Sequence, residues 1–219
     1  MNTAFTAGSL QRSIAECHPV EAPFRHWRPR GMLDGEVAVA LSNLEIEIPP
    51  DLDLSTGRRE ANNKTRLFFD TEGQKKNPAM KALAEAMQAP EVVAAWEKLC
   101  GIDLTGTYLR IEYCRDTGGF WLEPHTDIGA KLFTMLVYLS NDPGSEAWGT
   151  DLLDGPDRLV LTTPYQRNVG CIFIPSADSW HGFRRRPIVG VRRSLIVNYV
   201  RPEWRSRHEL AFPDQAISC

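Results

Sequence analysis

No long apolar run occurs in this chain. The most apolar stretch, Leu132 to Leu139, is far too short to cross a bilayer, so no membrane partner is expected. The opening residues Met1-Asn2-Thr3-Ala4-Phe5-Thr6 lack a basic segment followed by an apolar one, so a secretory leader is not expected. Cysteine is sparse and unpatterned. Cys17, Cys100, Cys114, Cys171 and Cys219 are odd in number and form no C-x-x-C pair. That usage fits a reduced, cytoplasmic protein better than a disulfide framework. Cys17-His18 has no chelating neighbour and reads as an ordinary pair. Positive charge is not in excess: the net charge is −3, which removes the basic field that a nucleic-acid binder needs. Internal repeats and low-complexity segments are also absent.

What remains is an ordinary globular composition. With 219 residues, 42% apolar and 24% charged, the chain is large enough to bury a core without staples and favours one domain. Val37 to Ile48 carries the alternation Leu44, Ile46, Ile48 and stops at Pro49-Pro50, so its end reads as a strand. Asp51 to Asn63 is polar and reads as a loop, and Lys64 to Phe69 as a strand. Asn77-Pro78 opens a helix with Met80, Leu83, Ala84 and Met87 at helical spacing. Pro90 interrupts it. A second helix over Glu91 to Leu99 follows, with Val92, Val93, Trp96 and Leu99 on one side, and Gly101 ends it.

From Thr107 the pattern turns to strands: Thr107 to Tyr113, Lys131 to Leu139, Arg158 to Thr162, Val169 to Ile174 and Arg192 to Val200. Short strands at this spacing suggest a sandwich or barrel. Two of them have informative faces. Leu132, Thr134, Leu136 and Tyr138 share one side of their strand, and Phe133, Met135, Val137 and Leu139 the other. Arg192, Ser194, Ile196 and Asn198 likewise oppose Arg193, Leu195, Val197 and Tyr199. Each strand is apolar on one side and mixed on the other, and neither has the fully polar face of a strand that meets water. A pocket lining inside a sandwich would look like this; so would a two-sided core with incidental polar groups. On Thr107 to Tyr113 the face Tyr108, Arg110, Glu112 fits either a polar substrate or solvent.

The chemistry is concentrated in Pro124-His125-Thr126-Asp127. In an extended segment residues i and i+2 point the same way, so His125 and Asp127 can reach one ion. Composition alone would supply about 0.3 such pairs, so the pair needs company. His181, 54 residues past Asp127, can return as a third ligand. Two imidazoles and one carboxylate form a facial triad that leaves three iron positions open. Gly190-Val191-Arg192-Arg193-Ser194-Leu195 follows His181, and Thr134 to Asn141 supplies Tyr138-Leu139-Ser140.

This ordered pattern resembles the 2-oxoglutarate- and iron(II)-dependent dioxygenases, prolyl-hydroxylase-like members in particular. The resemblance covers Thr107 to Val200. It implies a mainly β fold with flanking helices and a double-stranded β-helix core (jelly-roll, cupin-like). With the jelly-roll motifs over 107–200, one oxygenase domain is expected over 1–219, with a mixed α/β part packing on the core over 1–106 and a tail over 201–219. The resemblance implies Fe(II) on His125, Asp127 and His181. 2-Oxoglutarate would be held at its distal carboxylate by Arg192, Ser194 and Tyr138, with Thr134 lining the pocket and O2 as second co-substrate. A planar guanidinium suits that task because it gives a carboxylate two charge-assisted hydrogen bonds. The implied reaction is hydroxylation of an unactivated C–H bond, with release of succinate and CO2. Relatives that halogenate replace the carboxylate ligand, so retention of Asp127 points to hydroxylation or a related oxidation. The implied substrate is a small polar molecule or an amino-acid residue in a peptide, and no nucleic acid is expected. The glycine- and aromatic-rich loop Asp116 to Trp121 reads as a pocket wall or lid, and Arg184-Arg185-Arg186 as a solvated face. A cupin-like metal enzyme that does not use 2-oxoglutarate, and a binding barrel without turnover, are the alternatives.

Overall fold

Two antiparallel sheets face one another in the computed structural model, which describes residues 2–50, 52–57 and 63–218. The larger sheet has seven strands in the order β1-β2-β9-β6-β11-β4-β3. They are β1 (Pro19–Val20), β2 (His26–Trp27), β3 (Arg66–Phe68), β4 (Tyr108–Asp116), β6 (Lys131–Tyr138), β9 (Gly170–Phe173) and β11 (Arg192–Val200). The smaller sheet has the order β5-β10-β7-β8, from β5 (Leu122–His125), β7 (Asp151–Asp154), β8 (Arg158–Thr162) and β10 (His181–Phe183). Among the described residues five α-helices accompany them: α1 (Thr3–Ala15), α2 (Gly35–Ser42), α3 (Thr71–Lys76), α4 (Pro78–Gln88) and α5 (Pro90–Cys100). None of the helices is long and apolar enough to cross a membrane.

The alternation in the strands sorts their side chains into two cores. Phe133, Met135, Val137, Leu195, Val197 and Tyr199 face the helices and pack with Leu10, Leu83, Met87 and Trp96. Leu136 and Tyr138 face the other way and pack with Phe120, Trp148, Phe173 and Phe183 between the sheets. Burying a large apolar side chain contributes about 1.5–3 kcal/mol, so the covered outer face of the large sheet is what anchors the helices. The polar groups of the mixed faces are thereby left inside the barrel. Ser194 pairs in register with Tyr138 and Asn198 with Thr134, so they form rows across the inner surface.

Local signals explain the helices. Asn77 Oδ1 accepts from the N–H groups of Ala79 and Met80 at 2.9 and 3.2 Å, and Pro78 fills the first helical position of α4. Pro90 opens α5, and Gly101, at φ 70°, ends it. The strand expected at the end of Val37 to Ile48 is not there. Asp34 caps a helix at Val37 N, and Val37, Ala38 and Leu41 are buried at helical spacing. A good cap and one apolar face outweigh the β-branched residues. Beyond α2 the chain is extended, with Leu44 buried, but its carbonyls are taken by side chains rather than a ladder: Tyr113 Oη donates to Leu44 O at 2.8 Å and Arg115 donates to Ile46 O.

Of the expected loop at 51–63, residues 52–57 are irregular, and 51 and 58–62 lie outside the described residues. The N-terminal part does more than pack on the core, because β3 pairs with β4 and β2 with β9 in one continuous sheet. The segment expected as a tail returns to the core. Leu210, Ala211 and Ile217 are buried, and Ile217 N donates to Thr107 O at 2.8 Å.

Candidate active site

β5 and β10 lie side by side, and their register places His125 opposite His181. Asp127 follows two residues after His125. One ligand atom from each of His125, Asp127 and His181 lies within 4.8 Å of the others, and among the described residues no further His, Cys, Asp or Glu joins the group. The two ring centroids are 4.3 Å apart. Both imidazoles are set by backbone carbonyls. His125 Nδ1–H donates to Glu123 O and His181 Nδ1–H to Ser179 O, each at 2.9 Å. A carbonyl can only accept, so each ring places a proton on Nδ1 and leaves Nε2 as the nitrogen available to a metal.

Asp127 is held just as firmly. Lys131 Nζ lies 2.5 Å from Oδ1, and Thr134 Oγ1 donates to Oδ2 at 2.6 Å. Burial alone would raise its carboxyl, but Lys131, His181 and these hydrogen bonds keep it well below the usual carboxylate range. Burial draws His181 down to about 4, against the opposing pull of Asp127. Near neutral pH the group therefore offers one carboxylate and a neutral His181. The orientation chain continues inward: Asn198 Nδ2 donates to Thr134 Oγ1 at 2.9 Å, and Arg110 Nη1 donates to Asn198 Oδ1 at 3.2 Å.

A cavity of about 60 Å³ opens on the triad and is lined also by Arg192, Ser194, Thr134, Thr150 and Phe120. Arg192 is 5% exposed; its Nε donates to Trp148 O at 2.8 Å and its Nη1 to Asp116 Oδ2 at 2.7 Å. Ser194 Oγ is buried with no hydrogen-bond partner. Such an orphan hydroxyl is costly unless a ligand meets it. Thr134 and Ser194 thus stand where the strand faces put them. Tyr138 does not line this cavity. Its hydroxyl bonds Thr150 Oγ1 at 2.9 Å and Thr163 Oγ1 at 2.6 Å, so it reaches the site through Thr150. Burial pushes the Tyr138 phenol up to about 12, and it stays protonated.

A second cavity of about 360 Å³ lies against the triad and is bordered by Arg110, Glu123, Thr126, Ile128, Trp204 and Glu209. Arg110 is 1% and Glu112 0% exposed, so the polar face of β4 looks into the barrel and not at solvent. Arg110 is ion-paired to Glu112 at 2.9 Å and Glu209 at 2.6 Å, between the rings of Phe68 and Trp204. Phe120 makes the expected loop a wall of the first cavity. The Arg184-Arg186 run is less free than expected. Arg186 pairs with buried Asp151 and lies over Phe183, while Arg185 stacks on Trp121.

Of the charged cavity residues, Lys131 and Arg66 escaped the reading of the sequence, and Asp116 entered it only as the first residue of the expected loop. Asp116 and Arg66 need the strand order to be found, since β4 runs three residues further than Tyr113 and β3 sits at the sheet edge. Lys131 carried a signal, standing four residues past Asp127 at the head of an inward-facing strand.

No family model and no characterised protein sequence matches the chain. Solved structures do. A prolyl hydroxylase from Trichoplax adhaerens, in complex with a hypoxia inducible factor oxygen degradation domain peptide fragment, superposes with a TM-score of 0.57 at 13% identity, over 90% of each chain. HygX from Streptomyces hygroscopicus, with nickel and 2-oxoglutarate bound, gives 0.51 at 15% identity, over 80% of this chain and 82% of that one. SnoN, a non-heme alpha ketoglutarate dependent epimerase from nogalamycin biosynthesis, gives 0.50 at 15% identity, over 97% and 90%. At these identities the likeness is one of fold: the chain has the prolyl-hydroxylase-like fold of the 2-oxoglutarate–Fe(II) oxygenases, with a jelly-roll core.

Proposed function

We propose that this protein is a 2-oxoglutarate-dependent non-haem iron oxygenase that hydroxylates an unactivated C–H bond of a small polar molecule or an amino-acid residue. One observation carries the reading. Three donors of the facial-triad type, two of them histidines whose Nδ1 is held by a backbone carbonyl, converge on a cavity whose lining also holds a buried arginine and an orphan serine hydroxyl. This donor set suits iron(II), and the arginine and serine suit a carboxylate. The 2-oxoglutarate seen in HygX supports the same use of the fold.

His125, Asp127 and His181 would hold the metal, and Arg192 with Ser194 would hold the distal carboxylate of 2-oxoglutarate. Tyr138 would brace that end through Thr150. When bound, iron and 2-oxoglutarate supply an oxidant by oxidative decarboxylation of the keto acid with O2. The chain's own work is orientation and exclusion of water. Thr134 and Lys131 hold Asp127 ionised and in place. Phe120, Phe183, Leu136 and Ile196 give the first cavity apolar walls. The second cavity is where the substrate would lie, with Trp204 as an apolar surface and Arg110, Glu123 and Glu209 as polar handles. A peptide substrate is a close variant, in line with the peptide in the Trichoplax complex. The likeness to an epimerase makes hydroxylation itself part of the proposal.

An anaerobic titration tests this. Fe(II) and then 2-oxoglutarate should give the weak visible charge-transfer band of the chelate. Arg192→Ala should need far more 2-oxoglutarate to reach it. His125→Ala and Asp127→Ala should form no succinate. A metal-loaded wild-type protein that gives no band would overturn the reading.

A further inference from the structure

Arg192 is not alone at its end of the cavity. Arg66, on β3, lines the same cavity and is as deeply set: its side chain is 7% exposed, against 6% for Arg192. Asp116 stands between them with a side chain 1% exposed. Its Oδ1 accepts from Arg66 Nη1 and its Oδ2 from Arg192 Nη1, both at 2.7 Å. The strand order brings the three together. β4 lies between β11 and β3, Arg192 is registered against Asp116, and Arg66 against Cys114.

Two buried guanidiniums share one carboxylate at this end of the cavity, and among the described residues Asp116 is the only acid in ion-pair contact with either. Glu112 attracts Arg66 from further off and is itself paired with Arg110. Asp116 meets only one nitrogen of each guanidinium, and buried charge is tolerated when it is paired and hydrogen-bonded, so an anion in the cavity would find donors there. A second observation bears on where that anion would lie. Ser194 is 1% exposed, its Oγ has no partner, and it is registered against Cys114, the residue that Arg66 faces. The ring of Phe120 lies 5.7 Å from the Arg66 guanidinium and 5.8 Å from that of Arg192, so both cations share one apolar wall. Two arginines without Asp116 would repel each other; with it they are held side by side, facing the same cavity.

We infer that Arg66 and Arg192 together form the seat for the distal carboxylate of a short dicarboxylate co-substrate, with Asp116 as the positioning residue that holds both guanidiniums. This rests on the proposed use of 2-oxoglutarate and adds a binding residue from outside the jelly-roll motifs.

The test compares two keto acids on the Fe(II)-loaded protein under anaerobic conditions. 2-Oxoglutarate has the distal carboxylate; 2-oxobutyrate has the same chelating head and lacks it. Arg66→Gln should weaken 2-oxoglutarate about tenfold or more, the worth of one charge-assisted hydrogen bond, and change 2-oxobutyrate less than twofold. Arg66→Lys keeps the charge without the fork and should fall between wild type and Arg66→Gln. Asp116→Asn should change 2-oxoglutarate affinity and spare 2-oxobutyrate. Calorimetry of succinate on the metal-free protein gives a readout independent of iron: binding to wild type should be lost in both Arg66→Gln and Arg192→Gln. Equal weakening of both keto acids, or 2-oxoglutarate affinity within twofold of wild type in Arg66→Gln, overturns the inference while the proposed function stands. Succinate binding that needs both arginines, in a protein that forms no 2-oxoglutarate chelate, keeps the seat and sinks the proposed function. A wild-type protein that binds neither ligand sinks both.

Discussion

Thr134→Val separates orientation of the metal ligand from every other role of that residue. Valine has nearly the shape of threonine, so no cavity opens. The change removes two hydrogen bonds. Thr134 Oγ1 donates to Asp127 Oδ2 at 2.6 Å and accepts from Asn198 Nδ2 at 2.9 Å. The Asn198 side of the loss is small, because Nδ2 also donates to Phe133 O at 3.3 Å and Oδ1 still accepts from Arg110. The Asp127 side is larger. A hydrogen bond to a charged group contributes about 1.5–3 kcal/mol, and Asp127 keeps only Lys131 on its other oxygen. Metal-free Thr134→Val should therefore unfold about 2–3 kcal/mol more easily in urea. Loss of a group that orients a metal ligand costs about 10–100-fold in metal affinity, so Fe(II) binding should weaken by that factor. Thr134→Ser restores the hydroxyl and should recover most of the metal affinity. Equilibrium competition for Fe(II) with a chelator measures the second effect directly. Fe(II) affinity in Thr134→Val within twofold of wild type would refute the orienting role, whatever happens to stability.

Further outcomes follow from other contacts. Tyr138→Phe removes a hydroxyl bonded to Thr150 and Thr163, so it should cost about 1–2 kcal/mol in urea unfolding and leave 2-oxoglutarate affinity within threefold; a loss beyond tenfold would put the phenol on the co-substrate. Lys131→Met leaves buried Asp127 without its cation, so the metal-free protein should lose about 3 kcal/mol while added Fe(II) restores more stability than it adds to wild type; an equal gain in both proteins would show that the lysine and the metal do not share the carboxylate. Asn168 sits at φ 63° and its side chain bonds Leu33 N and O, so Asn168→Gly should be milder than Asn168→Ala by about 1 kcal/mol in the same urea assay. Gly149→Ala should fail to fold or unfold far more easily, since a Cβ there would overlap the Thr163 carbonyl.

The parts of the site that were legible in the sequence are those set by local geometry. His125 and Asp127 share a face because they are two apart in an extended segment, and Thr134 and Ser194 fall inward by strand alternation alone. Asn77 and Pro78 announced α4 because a cap is a contact between near neighbours. What was missed depends on contacts between distant segments. Arg66 and Asp116 are 50 residues apart and meet only because β3 docks on β4. The face of Arg110 and Glu112 looked equally suited to solvent, and Glu209, which completes its pairing, comes from the expected tail. The extended run at Leu44 and Ile46 had a strand's alternation, but the side chains of Tyr113 and Arg115, not a neighbouring strand, take its carbonyls. Tyr138 was placed on the inner face, but its bonds to Thr150 and Thr163 could not be read, since these flank the strands of the smaller sheet.

The interior of the barrel carries more charge than stability requires. Arg110 and Glu112 lie toward one end, Arg66, Asp116 and Arg192 toward the other, and all are buried or nearly so. Replacing a buried ionic cluster with apolar groups of similar volume is often neutral or stabilising by about 1–4 kcal/mol, so such clusters are poor devices for holding a fold together. They are good devices for holding groups in place. The cluster around Arg110 ends in Asn198, Thr134 and the metal-facing carboxylate of Asp127, a chain in which each donor sets the direction of the next. The cluster around Asp116 ends in two guanidinium planes and an orphan hydroxyl. The first fixes where a metal would be bound, and the second where a carboxylate would be. A keto diacid bound as proposed would have to satisfy both at once, so the spacing between the clusters would select chain length as well as charge. That is why the strand faces, rather than the histidines alone, carry the argument for this co-substrate.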